Sequence, residues 1–176
     1  MTIIKKPHHH PTFPDKNKIG VLLVNLGTPD GTDYWSMRKY LKQFLMDKRV
    51  VDFFRPLWWL ILNGPILTFR PSKSGKAYKK IWDENNYGSP LRAFTIKQTN
   101  KIKNYFINKP NIFIEYAMRY GNPGIDKILN KMTKDGCSKI LLVPLYPQYA
   151  ASTTATVKDE VFKWMLKQRW QPDIRT

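Results

Sequence analysis

Residues 19–25 read Ile-Gly-Val-Leu-Leu-Val-Asn, a near-continuous apolar run ending on a polar residue. Such a run marks a strand buried on both faces, as in a parallel sheet covered by helices. Gly27-Thr28-Pro29-Asp30-Gly31 follows as a turn, and Tyr34, Met37, Leu41, Phe44 and Leu45 then recur at helical spacing. The alternation continues outward. Helical patterns are expected over 72–83, and again through Leu91, Phe94, Thr95, Gln98, Ile102, Tyr105 and Phe106. A second strand is expected at 111–118, a helix at 124–134, and a third strand at 139–145. A last helix carries Val157, Val161, Trp164 and Met165 on one face, and Asp173–Thr176 open a further strand. Strands separated by helices predict an α/β domain with a mostly parallel sheet flanked by helices. In such sheets ligands bind beyond the carboxyl ends of the strands, so attention falls on the segments after Asn25, Met118 and Leu145.

A chain of 176 residues holds one domain with a sizeable core. Its one cysteine, Cys137, excludes an internal disulfide and fits a reducing compartment. No charged-then-apolar leader opens the sequence, so a cytoplasmic location is expected. The formal net charge is +17. That field attracts nucleic acid, acidic membrane or a carboxylate-bearing substrate. A composition biased by an AT-rich genome explains it equally well, since lysine supplies 22 of the 30 basic residues. A nucleic-acid-binding role would rest on charge alone, with no recognised motif, and no nucleic-acid partner is expected. Residues 1–18 read as a flexible tail. Its His8-His9-His10 run is assigned no metal, because an extended tail does not fix coordination geometry.

Several segments carry candidate chemistry. Neither the dinucleotide fingerprint nor the phosphate-loop lysine pattern is present, and the turn at Gly27 is also what any strand–helix junction would show. Residues 53–69 (FFRPLWWLILNGPILTF) are the most apolar stretch, too short for a span and broken by Asn63-Gly64-Pro65. Trp58 and Trp59 beside Arg55 and Arg70 suit a membrane interface, and a buried core helix suits them as well. Arg70 and Lys73 stand three apart on one helical face, where they could grip carboxylates or simply face solvent. Arg119 and Tyr120 follow the second strand. Tyr146 and Tyr149 flank an amide on a proline-stiffened loop after the third. Ser152-Thr153-Thr154 then caps the next helix, whose amide end also favours an anion.

These segments together resemble the ferrochelatases. VNLGTP at 24–29, FLMDKRVV at 44–51, Tyr78 with GSPL at 88–91, MRYGNP at 118–123 and LYPQYAASTT at 145–154 stand in family order, over about 19–176. The resemblance implies the first of two Rossmann-like chelatase domains that clasp a porphyrin between them. The expected activity is insertion of Fe(II) into protoporphyrin IX to give protohaem. It places Leu26 under the macrocycle, Arg70, Lys73 and Ser89 near the propionates, Arg119 and Tyr120 in the pocket, and Tyr146 on the metal route. Segment 53–69 becomes an apolar lip with peripheral contact on the inner face of the cytoplasmic membrane. The family's histidine and glutamate lie in its second domain, beyond the position of Thr176. This chain has no histidine past the tail, and Glu84, Glu115 and Glu160 match no catalytic position. The expectation is therefore a truncated or split chain, incomplete at its C-terminus, with domain 19–176 and no catalytic or resident metal residue of its own. Neither a cofactor nor an iron–sulfur cluster is expected. A non-catalytic porphyrin- or haem-binding, or membrane-docking, module is the alternative.

Overall fold

The computed structural model describes residues 18–176, so His8-His9-His10 and the tail through residue 17 lie outside the described residues. Strands β1 (Ile19–Thr28), β2 (Ile112–Gly121), β3 (Lys139–Pro144) and β4 (Asp173–Arg175) form one sheet. Their order is β2-β1-β3-β4, and every neighbouring pair is parallel. Parallel strands need crossovers. These are α1 (Tyr34–Leu45), α2 (Arg55–Ile61), α3 (Leu67–Lys79) and α4 (Pro90–Tyr105) before β2, α5 (Ile125–Lys134) before β3, and α6 (Thr156–Met165) before β4. The expected α/β class and parallel sheet are present.

β1 contributes to two cores, with Leu22 and Val24 in one and Leu26 at the edge of the other. On one face Leu22 and Val24 join Ala117, Ile140 and Leu142 under Leu129 and Met132 of α5 and Val157, Val161 and Trp164 of α6. A second cluster gathers Met37, Tyr40 and Leu41 of α1 with Leu62, Leu67 and Tyr120. Each Val, Leu, Ile or Met side chain so withdrawn from water contributes roughly 1.5–3 kcal/mol.

Two strands run further than their apolar runs. β1 continues through Gly27 and Thr28, which pair with Tyr120 and Gly121, so Gly27 lies in the strand rather than in a turn. Its φ is +109°, and a Cβ there would stand 1.8 Å from the Tyr120 carbonyl oxygen. Glycine is needed because two backbones meet, a demand apolar periodicity does not register. By the same pairing Arg119 and Tyr120 belong to β2 and do not follow it. At the other end of the sheet the expected strand at 173–176 is one residue shorter. β4 pairs with β3 through Arg175, and Thr176 lies outside the strand, exposed.

Segment 53–69 folds as α2, a π-helical turn (Leu62–Ile66) in which Gly64 leaves helical geometry beside Pro65, and the start of α3. Helix α3 begins at Leu67, five residues ahead of the expected start, and carries Pro71 in its body. Proline has no N–H to give the Leu67 carbonyl. The Tyr34 hydroxyl donates to that oxygen instead at 3.0 Å, and the Arg38 guanidinium donates to it as well. Helix α1, found by its spacing, thereby supplies the bond that lets α3 tolerate its proline.

The chain passes from β1 to β2 on one side and then crosses to β3 on the other. The crevice of this sheet therefore opens between the carboxyl ends of β1 and β3, bounded by Leu26–Pro29 and by the loop at 145–150.

Candidate functional site

Helix α3 carries Arg70 and Lys73 on one exposed face. They line a hollow of about 640 Å³ with Ile66, Phe69 and Ala77. Among the described residues neither cation has an ion-pair partner. An apolar wall bearing two uncompensated cations suits an apolar anion with carboxylates at its rim. Phe69 is 75% exposed, and with Phe53, Phe54, Leu57, Trp59 and Leu60 it makes the 53–69 segment an apolar rim. The two tryptophans part company here. Trp59 is exposed, while Trp58 is half-buried and donates its indole N–H to the Leu45 carbonyl at 2.9 Å.

Arg119 and Tyr120 are buried, the tyrosine completely. Successive strand residues point to opposite faces, yet both side chains reach the same oxygen of Asp47. Tyr120 donates its hydroxyl at 2.8 Å and Arg119 donates an Nη hydrogen. Arg119 also donates Nε–H to the Thr156 carbonyl at 3.0 Å, and its guanidinium stacks 4.4 Å from the Tyr120 ring. Arg119 and Asp47 line a cleft of about 930 Å³ between the end of α1 and the start of α6. At its mouth Arg49 pairs with Asp159, whose carboxyl it pulls below the usual range. Sequence reading does not single out Asp47. The signal available is one acid among cations in 44–51; its partners lie more than seventy residues away.

Tyr146 packs against the first core, and its hydroxyl is buried with no hydrogen-bond partner among the described residues. Burial pushes that phenol up to about 12; Arg119 opposes the rise and Asp47 adds to it. Burial likewise raises Tyr40 and Tyr120 above the ordinary phenol range. All three therefore stay protonated at neutral pH, and Tyr40 and Tyr120 donate their hydroxyls to the Gly27 carbonyl and to Asp47.

Leu26, near the end of β1, is half-buried against the cluster that holds Tyr120. Ser89 is buried and caps α4, its hydroxyl oxygen accepting the Arg92 N–H at 3.2 Å. It lines neither cavity, and neither does Thr176. Ser152-Thr153-Thr154 fall inside a π-helical turn (Ala151–Ala155) ahead of α6. One of the three acts as a cap, Thr153 accepting the Ala150 N–H at 2.8 Å. The structure thus gathers Arg70 with Lys73 at one hollow and Arg119 with Tyr120 on Asp47, while Tyr146 packs against the first core.

Among the described residues no cluster of His, Cys, Asp and Glu could hold a metal ion, and no helix is long and apolar enough to cross a membrane.

A protein-family model described as Ferrochelatase matches residues 18–176. The curated ferrochelatase of Allorhizobium ampelinum is 54% identical over 170 residues, covering 97% of this chain and 49% of that protein. That of Agrobacterium fabrum is 53% identical over 172 residues, with the same two shares. That of Chelativorans sp. is 51% identical over 159 residues, covering 90% of this chain and 45% of the relative. The chain spans about half the length of the curated relatives it matches, and its match to the family model runs through Thr176.

Proposed function

The chain belongs to the ferrochelatase family, and from that premise we propose that it supplies the porphyrin-binding half of an enzyme inserting Fe(II) into protoporphyrin IX. The observation that carries this reading is the pair Arg70 and Lys73, which have no ion-pair partner among the described residues and stand beside an apolar hollow. Protoporphyrin is a flat apolar ring with two carboxylates, and each cation suits one of them. Leu26 serves as floor beneath the macrocycle and Ser89 as a hydroxyl near the carboxylates. Arg119 and Tyr120 stiffen the wall, and Tyr146 presents a protonated phenol on the path of the metal. Iron enters as substrate. A four-cysteine cluster site cannot be built from Cys137 alone.

Metal insertion releases two pyrrole protons, which need an acceptor titrating near neutrality. The raised phenols of Tyr120 and Tyr146 cannot accept them at pH 7. We assign that base to no described residue; it is supplied by a second part of the enzyme, outside the segment that ends at Thr176.

Arg70→Ala combined with Lys73→Ala tests the carboxylate grip by quenching of porphyrin fluorescence. Two exposed charge contacts are worth roughly 0.5–1 kcal/mol each at low salt, so affinity falls about fivefold to thirtyfold. The difference shrinks as salt is raised toward 0.5 M, and protoporphyrin dimethyl ester, lacking both carboxylates, binds parent and variant alike. Equal affinity of parent and variant for the diacid at low salt removes both residues from the site.

The apolar rim at 53–69 forms the lip over the porphyrin and touches an anionic membrane surface through Phe54, Trp59 and Leu60. With anionic vesicles the Trp58→Phe chain, which retains Trp59, shifts its emission to the blue by several nanometres. The Trp59→Phe chain shifts much less, because Trp58 is already held against Leu45. Equal shifts, or none, contradict the membrane contact.

A further inference from the structure

The exposed lip and the buried end of β2 are joined through one short segment. Arg55, at the start of α2, donates an Nη hydrogen to the Met46 carbonyl at 2.6 Å, and Trp58 donates to the Leu45 carbonyl at 2.9 Å. The next residue is Asp47. Its Oδ1 accepts the Arg49 N–H at 2.8 Å, and its backbone carbonyl accepts the N–H groups of Val50 and Val51 at 3.1 and 2.9 Å. Its Oδ2 accepts from both Arg119 and Tyr120. The side chain is 9% exposed and the Arg119 side chain 6%, so this is a largely dry contact.

We propose that Asp47 is a positioning residue for porphyrin binding, clamping Arg119 and Tyr120 of β2 to the root of the apolar lip so that cleft wall and lip hold one arrangement. This rests on the proposed porphyrin function for its consequence, though not for its geometry. An ionised carboxylate only accepts, so a single group can satisfy the guanidinium, the phenol and a backbone amide together. An asparagine of the same shape presents donors on one arm and cannot serve both Arg119 and Arg49. Once the charge is gone, the acid left near the guanidinium is Glu160, 3.4 Å away on α6 and 34% exposed. Arg119 then turns toward α6 and away from the lip. Loss of the clamp leaves α1 and β2 folded, since their packing rests on Met37, Tyr40, Leu41 and Tyr120.

The test uses the whole chain with Asp47→Asn and Asp47→Glu, each alone and in an Arg119→Met background, which fills the same space without charge. Asp47→Ala is avoided, because a buried guanidinium stripped of its partner invites unfolding. Circular dichroism checks folding. Protoporphyrin titration reads the consequence, and the guanidinium resonances of Arg119 read the clamp without any porphyrin. Asp47→Asn is expected to weaken protoporphyrin binding about tenfold or more, with Asp47→Glu recovering most of it. In the Arg119→Met background the same change should add less than about twofold, since a residue acting through Arg119 has nothing left to position. The Nη resonances should shift in Asp47→Asn, as the guanidinium leaves position 47 for Glu160. Protoporphyrin affinity unchanged by Asp47→Asn, or weakened equally in both backgrounds, overturns the proposal. Should the parent chain not bind protoporphyrin, the proposed function fails by itself and the Arg119 resonances decide the clamp; unchanged resonances in Asp47→Asn reject it.

Discussion

Gly27→Ala is expected to remove a large share of the stability of the folded state, although it adds a single methyl group. At φ +109° an L side chain is strained wherever it points, and here the new carbon would lie 1.8 Å from the Tyr120 oxygen and 2.7 Å from its carbonyl carbon. Both obstacles are backbone, so no side chain can swing away. Relief requires β1 and β2 to part at Gly27 and Thr28, releasing the pairing with Tyr120 and Gly121. Strain of this kind combined with lost pairing belongs to the exceptional losses of about 4 kcal/mol or more, roughly 8–16 °C in Tm for a domain of this size. Gly64→Ala is the control, since nothing stands within 4 Å of a Cβ there. Thermal unfolding followed by circular dichroism reads both. A Gly27→Ala chain as stable as the Gly64→Ala chain would mean that the two strands do not meet as described.

The parallel α/β architecture is legible because its signals are local. The run IGVLLVN needs only itself to declare a doubly buried strand, and α1, α4, α5 and α6 lie within a few residues of where their apolar spacing puts them. Sequence and structure part where a distant group decides. Helix α3 starts before its proline because Tyr34 and Arg38, about thirty residues upstream, satisfy the Leu67 carbonyl. Trp58 and Trp59 are identical to a sequence reader, and the Leu45 carbonyl distinguishes them. The site shows the same division. Arg70 and Lys73 share a face that spacing alone defines, whereas the role of Asp47 depends on residues 119 and 120 of another element. Ser89 matches a ligand position by resemblance, and what the fold displays of it is a cap on α4.

The chain should make haem at no more than about one-hundredth of the rate reached when it is fused, after Thr176, to the remaining half of a curated relative. General acid–base help is worth roughly 10²–10⁴-fold, and its natural group near neutral pH is a histidine. The histidines of this chain are His8, His9 and His10, and the buried phenols of Tyr40, Tyr120 and Tyr146 hold their protons. On the proposed reading this chain is one wall of a two-walled cleft, which positions the macrocycle poorly and lowers the rate further. The measurement is anaerobic conversion of protoporphyrin IX and ferrous iron, followed by the appearance of protohaem absorbance. It compares the 176-residue chain, the fusion, and the fusion carrying Arg70→Ala with Lys73→Ala. The predicted result is a fusion that turns over, a chain at least about a hundredfold slower, and a double variant whose loss is recovered at raised porphyrin concentration. Equal turnover by chain and fusion, or a folded fusion that binds protoporphyrin no better than the double variant does, would contradict a porphyrin-binding half that needs its base from elsewhere.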